Sequence, residues 1–476
     1  MKSRKKHWEF IPVKPLSQIT YIQTIAIYVP NIRLVPLPLV IIFFPLMKPI
    51  PLQTMSLKRE RKIIAIRNQL KEPLKLNPFL FSRLFFLWVF IGLIGGVIAG
   101  IYWIILEHLT HSLAFFEGFY VIPVMAIAGL LAGLVIHFIG DPGEIQLIVN
   151  NIRFKGGRLE PKNNPSMVLS SLLCIASGGS LGPEAPLVQV TGSTGSWIAK
   201  KLKFKGEDMR SLSIAGMASG FTALFGAPLG GSLFSLEILH HKYVVEYYQA
   251  LIPAFVASCA SYVIFILITE LGIGPTWDFP TYQSEGVMDF FYAILYGGVA
   301  AAFGWIFIAL VKVLKQGLGK WVVPIYVKMC AGGIILGIIA FYFPVTRYFG
   351  HHEINILLES TFTLPVLIAI LLFKILAIAV TVTSGWRGGF IIPLFFVGTT
   401  LGLIIHQLYP GQNLALIAIC CMAAINSCVT RTPISTIILL STLTGFAYFV
   451  PIMFASLTGF FLAPKTPFIG SQLEKE

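Results

Sequence analysis

The 476-residue chain is 56% hydrophobic and only 12% charged, with a mean hydropathy of +0.81. Soluble domains carry about 25% charged residues, so this composition excludes an ordinary soluble protein and predicts an all-α polytopic membrane protein. Of the formal net charge of +14, a charge of +11 falls in residues 1–76. We interpret residues 1–78 as a basic cytoplasmic arm beside anionic lipid, rather than as a nucleic-acid-binding segment.

Within this arm, residues 36–51 are apolar, but prolines interrupt them too often for a spanning helix. Met55 opens a basic stretch, SLKRERK, that leads into the first clear span. We therefore interpret part of residues 1–54 as an extension that results from a start codon assigned too far upstream.

Long uncharged runs predict the spanning helices that follow. Residues 84–106, 247–269 and 290–311 each exceed the ~20 residues that a spanning helix needs. Residues 388–430 and 432–464 are longer and must each hold more than one segment.

Two segments are predicted to enter and leave the membrane on the same side. Residues 163–200 have basic residues at both ends, and their turn, at Gly178–Pro186, carries Glu184. Residues 211–241 repeat the arrangement around Gly226–Gly231. Broken helices indicate a channel or transporter, because irregular backbone at membrane depth needs protein or a wet cavity around it.

An internal repeat supports this interpretation. Pro186, Val190 and Gly195 are matched at identical offsets by Pro393, Val397 and Gly402. We therefore predict two repeats, at about 80–270 and 285–465, with a binding site between them.

The most informative side chain is Glu184. A carboxylate at mid-bilayer costs roughly 2.5–3.5 kcal/mol, so it is a functional-site candidate by default. The alternative is a loop glutamate at the water interface.

Three blocks resemble the chloride channel family. GPEAPLVQVTGS is similar to its Gly-Arg-Glu-Gly-Pro motif, GGFIIPLFFVG to its Gly-Gly-Ile-Phe-Ala-Pro motif, and AGMASGFTALFGAPLGGSLFSLE to a third block. The resemblance covers about residues 80–470. It implies two antiparallel, inverted-topology repeats with broken re-entrant helices, a homodimer, and one path per subunit for chloride or a similar anion, with no cofactor and no enzymatic activity.

The resemblance also assigns residues. Glu184 aligns with the gating glutamate, which competes with the anion and carries the proton in exchangers. The anion would be bound by backbone amides of Gly182, Ala185, Phe390, Ile391 and Ile392.

Three positions depart from the family pattern. Ile238 stands where exchangers carry an inner proton-transferring acid, and Glu237, one residue earlier, should face another side of the helix. Gly140 falls at the position of a serine that contacts the anion. Phe446 falls at the position of a pore tyrosine.

The missing acid favours a passive channel, and the alternative is a proton-coupled chloride or anion exchanger. An intramembrane enzyme using Glu184 or Ser180 is a distant alternative that lacks a partnered base. His240 and His241 with Glu237 lack the spacing of a metal site, and the six cysteines favour buried thiols over a disulfide framework.

Two further cations and the tail complete the predictions. Lys374 is expected to supply positive potential to the anion path, the alternative being pairing with an acid. Arg387 is expected to anchor a surface loop, the alternative being that it steers anions. The short tail, residues 471–476, suggests no regulatory domain. A plasma membrane or bacterial inner membrane is the expected location.

Overall fold

The structure, a computed structural model, describes residues 82–239, 249–280, 282 and 286–472, and most of these residues are helical. The basic arm, the alternative start, His240, His241 and the last four residues of the tail lie outside this range. The α-helices within it are α1 Arg83–Ala114, α2 Val121–Ile139, α3 Ile145–Phe154, α4 Asn164–Ala176, α5 Glu184–Lys201, α6 Gly206–Phe225, α7 Pro228–Glu237, α8 Leu251–Thr269, α9 Met288–Gly319, α10 Ile325–Tyr342, α11 Glu353–Glu359, α12 Leu364–Ser384, α13 Ile391–Leu408, α14 Leu414–Thr430, α15 Pro433–Thr444 and α16 Phe449–Phe461.

Seven of the described helices are long and apolar enough to cross a membrane, namely α1, α2 with the turn before it, α8, α9, α10, α12 and α13. The two longest uncharged runs each hold two helices, as predicted. The chain is therefore a multi-pass integral membrane protein with an all-α fold.

The predicted helix breaks are present. Residues 177–183 separate α4 from α5, and Gly226 ends α6 with a left-handed φ of 61° before Pro228 begins α7. In the second half, Gly385 ends α12 with a φ of 92°, and Pro433 begins α15. Proline is well tolerated at a helix start and glycine at a helix end, so local chemistry sets these breaks.

Helix packing is consistent with the two predicted repeats. In the first half, α1 packs on α8, α5 on α6, and α6 on α8. The same three contacts recur in the second half between helices whose numbers are eight higher: α9 packs on α16, α13 on α14, and α14 on α16. The halves meet where α2 packs on α10 and α7 packs on α15.

The α2–α10 crossing depends on small residues. A Cβ added at Gly129 would collide with the Met329 carbonyl, and one at Gly333 would collide with the Met125 carbonyl. Glycines let membrane helices approach closely enough for backbone packing. This crossing joins the two halves of the protein.

The cysteines follow the sequence interpretation in part. Cys174, Cys420, Cys421 and Cys428 are buried and free, as expected of packing thiols. Cys259 is exposed and Cys330 is half-buried, so that interpretation is wrong for Cys259.

Candidate functional site

Two helix starts from different halves of the chain meet at the centre of the site. The loops that precede α5 and α13 are joined by paired backbone hydrogen bonds, from the Gly182 amide to the Gly389 carbonyl (2.8 Å) and back (2.6 Å). A Cβ on either glycine would collide with the Glu184 carboxyl group, so glycine at both positions leaves room for this carboxylate. The sequence GGF before α13 and the glycine two residues before Glu184 therefore bring the two helix N-termini together.

Glu184, the first residue of α5, occupies the N-terminus of α13. Its Oε1 accepts hydrogen bonds from the amides of Ile391 (3.0 Å) and Ile392 (3.1 Å). The side chain is 1% exposed, and Oε2 is buried without a hydrogen-bond partner among the described residues. Free amides and the positive end of the helix dipole make this position suited to an anion, which here is the carboxylate.

A cavity of about 380 Å³ begins at Glu184 and Ala185 and extends to Lys312 and Lys315 on α9. Both lysines are exposed, so the cavity reaches the surface at basic residues. By the positive-inside rule this is the cytoplasmic side. The other polar or charged residues in its wall include Glu144, Gln146, Arg387, Thr430 and Thr466.

The predicted anion ligands divide into three groups. The amides of Ile391 and Ile392 already bind an anionic group, and Ala185 and Phe390 line the cavity. The Gly182 amide donates to the Gly389 carbonyl and is not free for an anion, so the prediction for Gly182 is wrong.

The assignment of Gly140 to the anion path stays a prediction. This residue ends α2 with a φ of 121° and does not line the cavity. The cavity wall begins three residues later, at Gly143 and Glu144, because the intervening loop turns toward Asn163, whose side-chain amide donates to the Asp141 carbonyl.

Ile238 and Glu237 face different surroundings, as their one-residue offset predicts. Ile238 is 1% exposed and lines the cavity. Glu237 points to the start of α15, where Oε1 accepts from the Ile434 amide (2.9 Å) and Oε2 from the Ser435 amide (2.7 Å). Glu237 therefore stabilises a helix N-terminus and places no acid in the cavity.

The pore position predicted for Phe446 is wrong. Phe446 is 67% exposed, in the turn before α16. The cavity wall has several aromatic residues, and the one that follows α16 is Phe468, whose ring lies 5.0 Å from the Phe390 ring between centroids. Alignment by counting back from Pro451 placed the pore position before α16. The cavity residue lies after α16, where Pro467 and Phe468 follow the last apolar run of the sequence.

Two buried cations also differ from expectation. The Lys374 ammonium donates to the carbonyls of Thr346 (3.0 Å) and Tyr348 (2.8 Å) and does not line the cavity, so it stabilises a loop. Arg387 lines the cavity instead of anchoring a surface loop, and its Nη2 pairs with Asp141 Oδ1 at 2.8 Å.

Sequence reasoning missed Glu144, Lys312 and Lys315, which line the cavity. The lysines are three residues apart and so share one face of α9, which was a usable signal. Ser180 Oγ is buried without a hydrogen-bond partner among the described residues, so no base activates it there as a nucleophile.

Comparison with known proteins supports the resemblance. The family model described as voltage gated chloride channel matches residues 128–464. An uncharacterized protein of Methanocaldococcus jannaschii is 28% identical over 371 residues, which cover 78% of this chain and 90% of that protein.

Two solved structures share the fold at 19% identity. A slow cyanobacterial Cl⁻/H⁺ antiporter has a TM-score of 0.71, covering 82% of this chain and 96% of that one. A CLC-type fluoride/proton antiporter has a TM-score of 0.73, covering 84% and 99%. The chain belongs to the voltage gated chloride channel family, and its general function is anion transport across a membrane.

Proposed function

We propose that this protein moves chloride or a similar small anion across the membrane in exchange for protons, and that both ions act on Glu184. The observation that carries the proposal is the binding of the Glu184 carboxylate to the Ile391 and Ile392 amides while its Oε2 remains without a partner among the described residues. This reverses the sequence-based preference for a passive channel.

Competition between anion and carboxylate follows from the chemistry of this site. A halide and a carboxylate each carry one negative charge, and the N-terminus of α13 favours either. The amides of Ala185 and Phe390 are proposed as further ligands. Backbone amides suit passage, because an anion must bind strongly enough to enter and weakly enough to leave.

Proton coupling follows from the same side chain. Protonation neutralises the carboxylate and removes its attraction to the helix N-terminus, so an anion can take its place. Oε2 can accept a proton without the loss of either amide hydrogen bond. The two solved structures of this fold named above, a Cl⁻/H⁺ antiporter and a fluoride/proton antiporter, support exchange.

A passive channel is the second candidate, and Ile238 favours it. This apolar side chain lines the cavity where, by the resemblance, exchangers carry an acid. Among the described residues, the acids that line the cavity are Glu144 and Glu184. Under the exchange proposal, the proton reaches Glu184 without help from position 238.

The test uses purified protein in liposomes with a chloride gradient and no proton gradient, recording chloride efflux and proton uptake together. We expect both fluxes in the unaltered protein, and chloride flux alone in Glu184→Gln, which cannot take up a proton. Glu207→Gln is the matched control and should keep the ratio of protons to chloride, because Glu207 is an exposed side chain that pairs with Arg210 and does not line the cavity. Chloride efflux without proton uptake would contradict exchange and support the passive channel. Absence of any anion flux would contradict both the exchanger and the channel.

Two further proposals concern how many copies of the chain assemble and which membrane holds them. We propose a homodimer with one anion path per subunit, as the family resemblance implies. A mass of twice 52.5 kDa for the protein component, measured by light scattering in detergent, would support it. We also propose a plasma or bacterial inner membrane, which fractionation of cells expressing the chain would test.

A further inference from the structure

The segment after α16, residues 462–472, forms part of the cavity wall. Its lining residues are Thr466, Pro467, Phe468 and Ile469. The Phe468 ring lies 5.0 Å from the Phe390 ring and 5.3 Å from the Phe307 ring, between centroids. Phe390 immediately precedes the two amides that bind Glu184. The position of this segment therefore sets the width of the cavity close to the candidate anion site.

The segment has little secondary structure of its own. Within it, the structure describes one 3-10 turn, Gly470–Gln472, and a single turn has too few hydrogen bonds to be stable alone. Even so, Ile469, Ser471 and Gln472 are only 3%, 5% and 1% exposed. Contacts with the rest of the protein must therefore hold it in place.

Gln472 makes the contacts that join the segment to both halves of the protein. Its Nε2 donates to the carbonyl oxygens of Ile238 (3.1 Å) and Thr430 (3.0 Å). Ile238 caps the end of α7, in the first repeat, and Thr430 is the last residue of α14, in the second. Carbonyls at helix ends lack partners within the helix, and a glutamine amide has two N–H donors, so one side chain satisfies both ends.

The bonded residues are themselves part of the cavity. Ile238 and Thr430 line it, on the same wall as the segment that carries Phe468. Arg153, in the last turn of α3, donates to the Ser471 carbonyl close to Gln472, and Arg431 holds the other end of the segment by donating to the carbonyls of Pro464 and Lys465. Gln472 thus fastens the segment directly to the wall of the cavity.

We propose that Gln472 is a positioning residue that holds Phe468 across the cytoplasmic mouth of the anion path. Loss of its two hydrogen bonds releases the segment and widens access from the cytoplasm to the cavity. The inference rests on the proposed function, because it takes this cavity as the path of the anion.

The experiment measures access to the cavity with a cysteine reporter. Val311→Cys places a thiol in the cavity wall, at a position that is 5% exposed, in a background where Cys259 and Cys330 are replaced by serine. Gln472→Met keeps the length of the side chain and removes both donors. Gln316→Met, at an exposed glutamine of α9, is the matched control. A membrane-impermeant thiol reagent is applied to one face of sealed vesicles at a time.

We expect Gln472→Met to raise the rate of reaction from the cytoplasmic face about tenfold or more, because two hydrogen bonds no longer oppose local opening. Gln316→Met, and reaction from the opposite face, should show no increase. Gln472→Asn keeps the donors on a shorter side chain and should give the same increase, which provides a second variant if the methionine protein does not fold.

Equal rates with and without the substitution at position 472 would overturn the proposal. An equal increase from both faces would overturn it too, because that result indicates general loosening of the fold. The reaction rate does not require anion movement. A failure of this inference is therefore distinguishable from a failure of the proposed exchange activity.

Discussion

Glu184 and Glu237 each bind the N-terminus of another helix, and their bonding predicts different effects of the same substitution. Glu237 uses both oxygens, one for the Ile434 amide and one for the Ser435 amide. Glu184 uses Oε1 for both of its amide partners, while Oε2 has no hydrogen-bond partner among the described residues. Glutamine keeps one acceptor oxygen and replaces the other with a donor, so it should be tolerated at position 184 and not at position 237.

The expected size of the difference follows from these contacts. In Glu237→Gln, a hydrogen bond to a charged group, worth about 1.5–3 kcal/mol, becomes an unfavourable contact between two donors. The favourable charge at the start of α15, worth about 0.3–1 kcal/mol, is also lost. We expect a loss of roughly 2–4 kcal/mol in stability. In Glu184→Gln the amide oxygen keeps both hydrogen bonds and only the favourable charge at the start of α13, worth about 0.3–1 kcal/mol, is lost, so the change should stay within about 1 kcal/mol.

The assay is thermal unfolding of the purified variants, followed by tryptophan fluorescence in one detergent at one scan rate. Those conditions are kept constant because unfolding of such proteins is often irreversible and the apparent Tm depends on the scan rate. Glu237→Gln should lower the apparent Tm clearly, and Glu184→Gln should leave it close to the original. Glu207→Gln, whose glutamate side chain is 55% exposed and pairs with Arg210, is the surface control and should have little effect. Equal losses for Glu184→Gln and Glu237→Gln would refute the reasoning from bonded oxygens.

Two further predictions concern charge. Replacing both Lys312 and Lys315 by glutamine should lower anion flux several-fold at low ionic strength and much less at high salt, because salt screens the attraction between the lysines and the anion at the cavity mouth. Lys320→Gln is the control, because Lys320 does not line the cavity. A decrease in flux that is independent of salt would contradict an electrostatic role. Burial, with a smaller contribution from His352, lowers the pKa of His351 to about 4, so the folded state should lose stability as the pH falls from about 6.5 toward 4. His351→Phe should reduce this acid sensitivity in thermal unfolding measured across that range, and an unchanged pH profile would count against it.

Local patterns in the sequence predicted most of the helices and their breaks. Apolar runs of sufficient length specify spans, and prolines and glycines at Gly178 to Pro186 and at Gly226 to Gly231 specify interruptions, because these effects act within a few neighbouring residues. The motif around Glu184 likewise identified the central carboxylate before any contact was known.

Local patterns failed where the result depended on packing between distant segments. Phe446 was selected by counting from a nearby proline, yet Phe468 reaches the cavity because the chain after α16 turns back toward Phe390. Glu237 is one residue from the cavity-lining Ile238, but only the position of α15 gives its carboxylate two amide partners.

The sequence by itself determined a multi-pass helical protein with two related halves and a carboxylate at a helix break. The tertiary structure decided what that carboxylate binds, where the cavity runs and which residue fastens its mouth. Glu184 and Ile391 are 207 residues apart, and Gln472 and Ile238 are 234 apart. Neither pairing follows from local propensity, because hydrogen bonds between such distant residues form only after the helices of both halves have packed together.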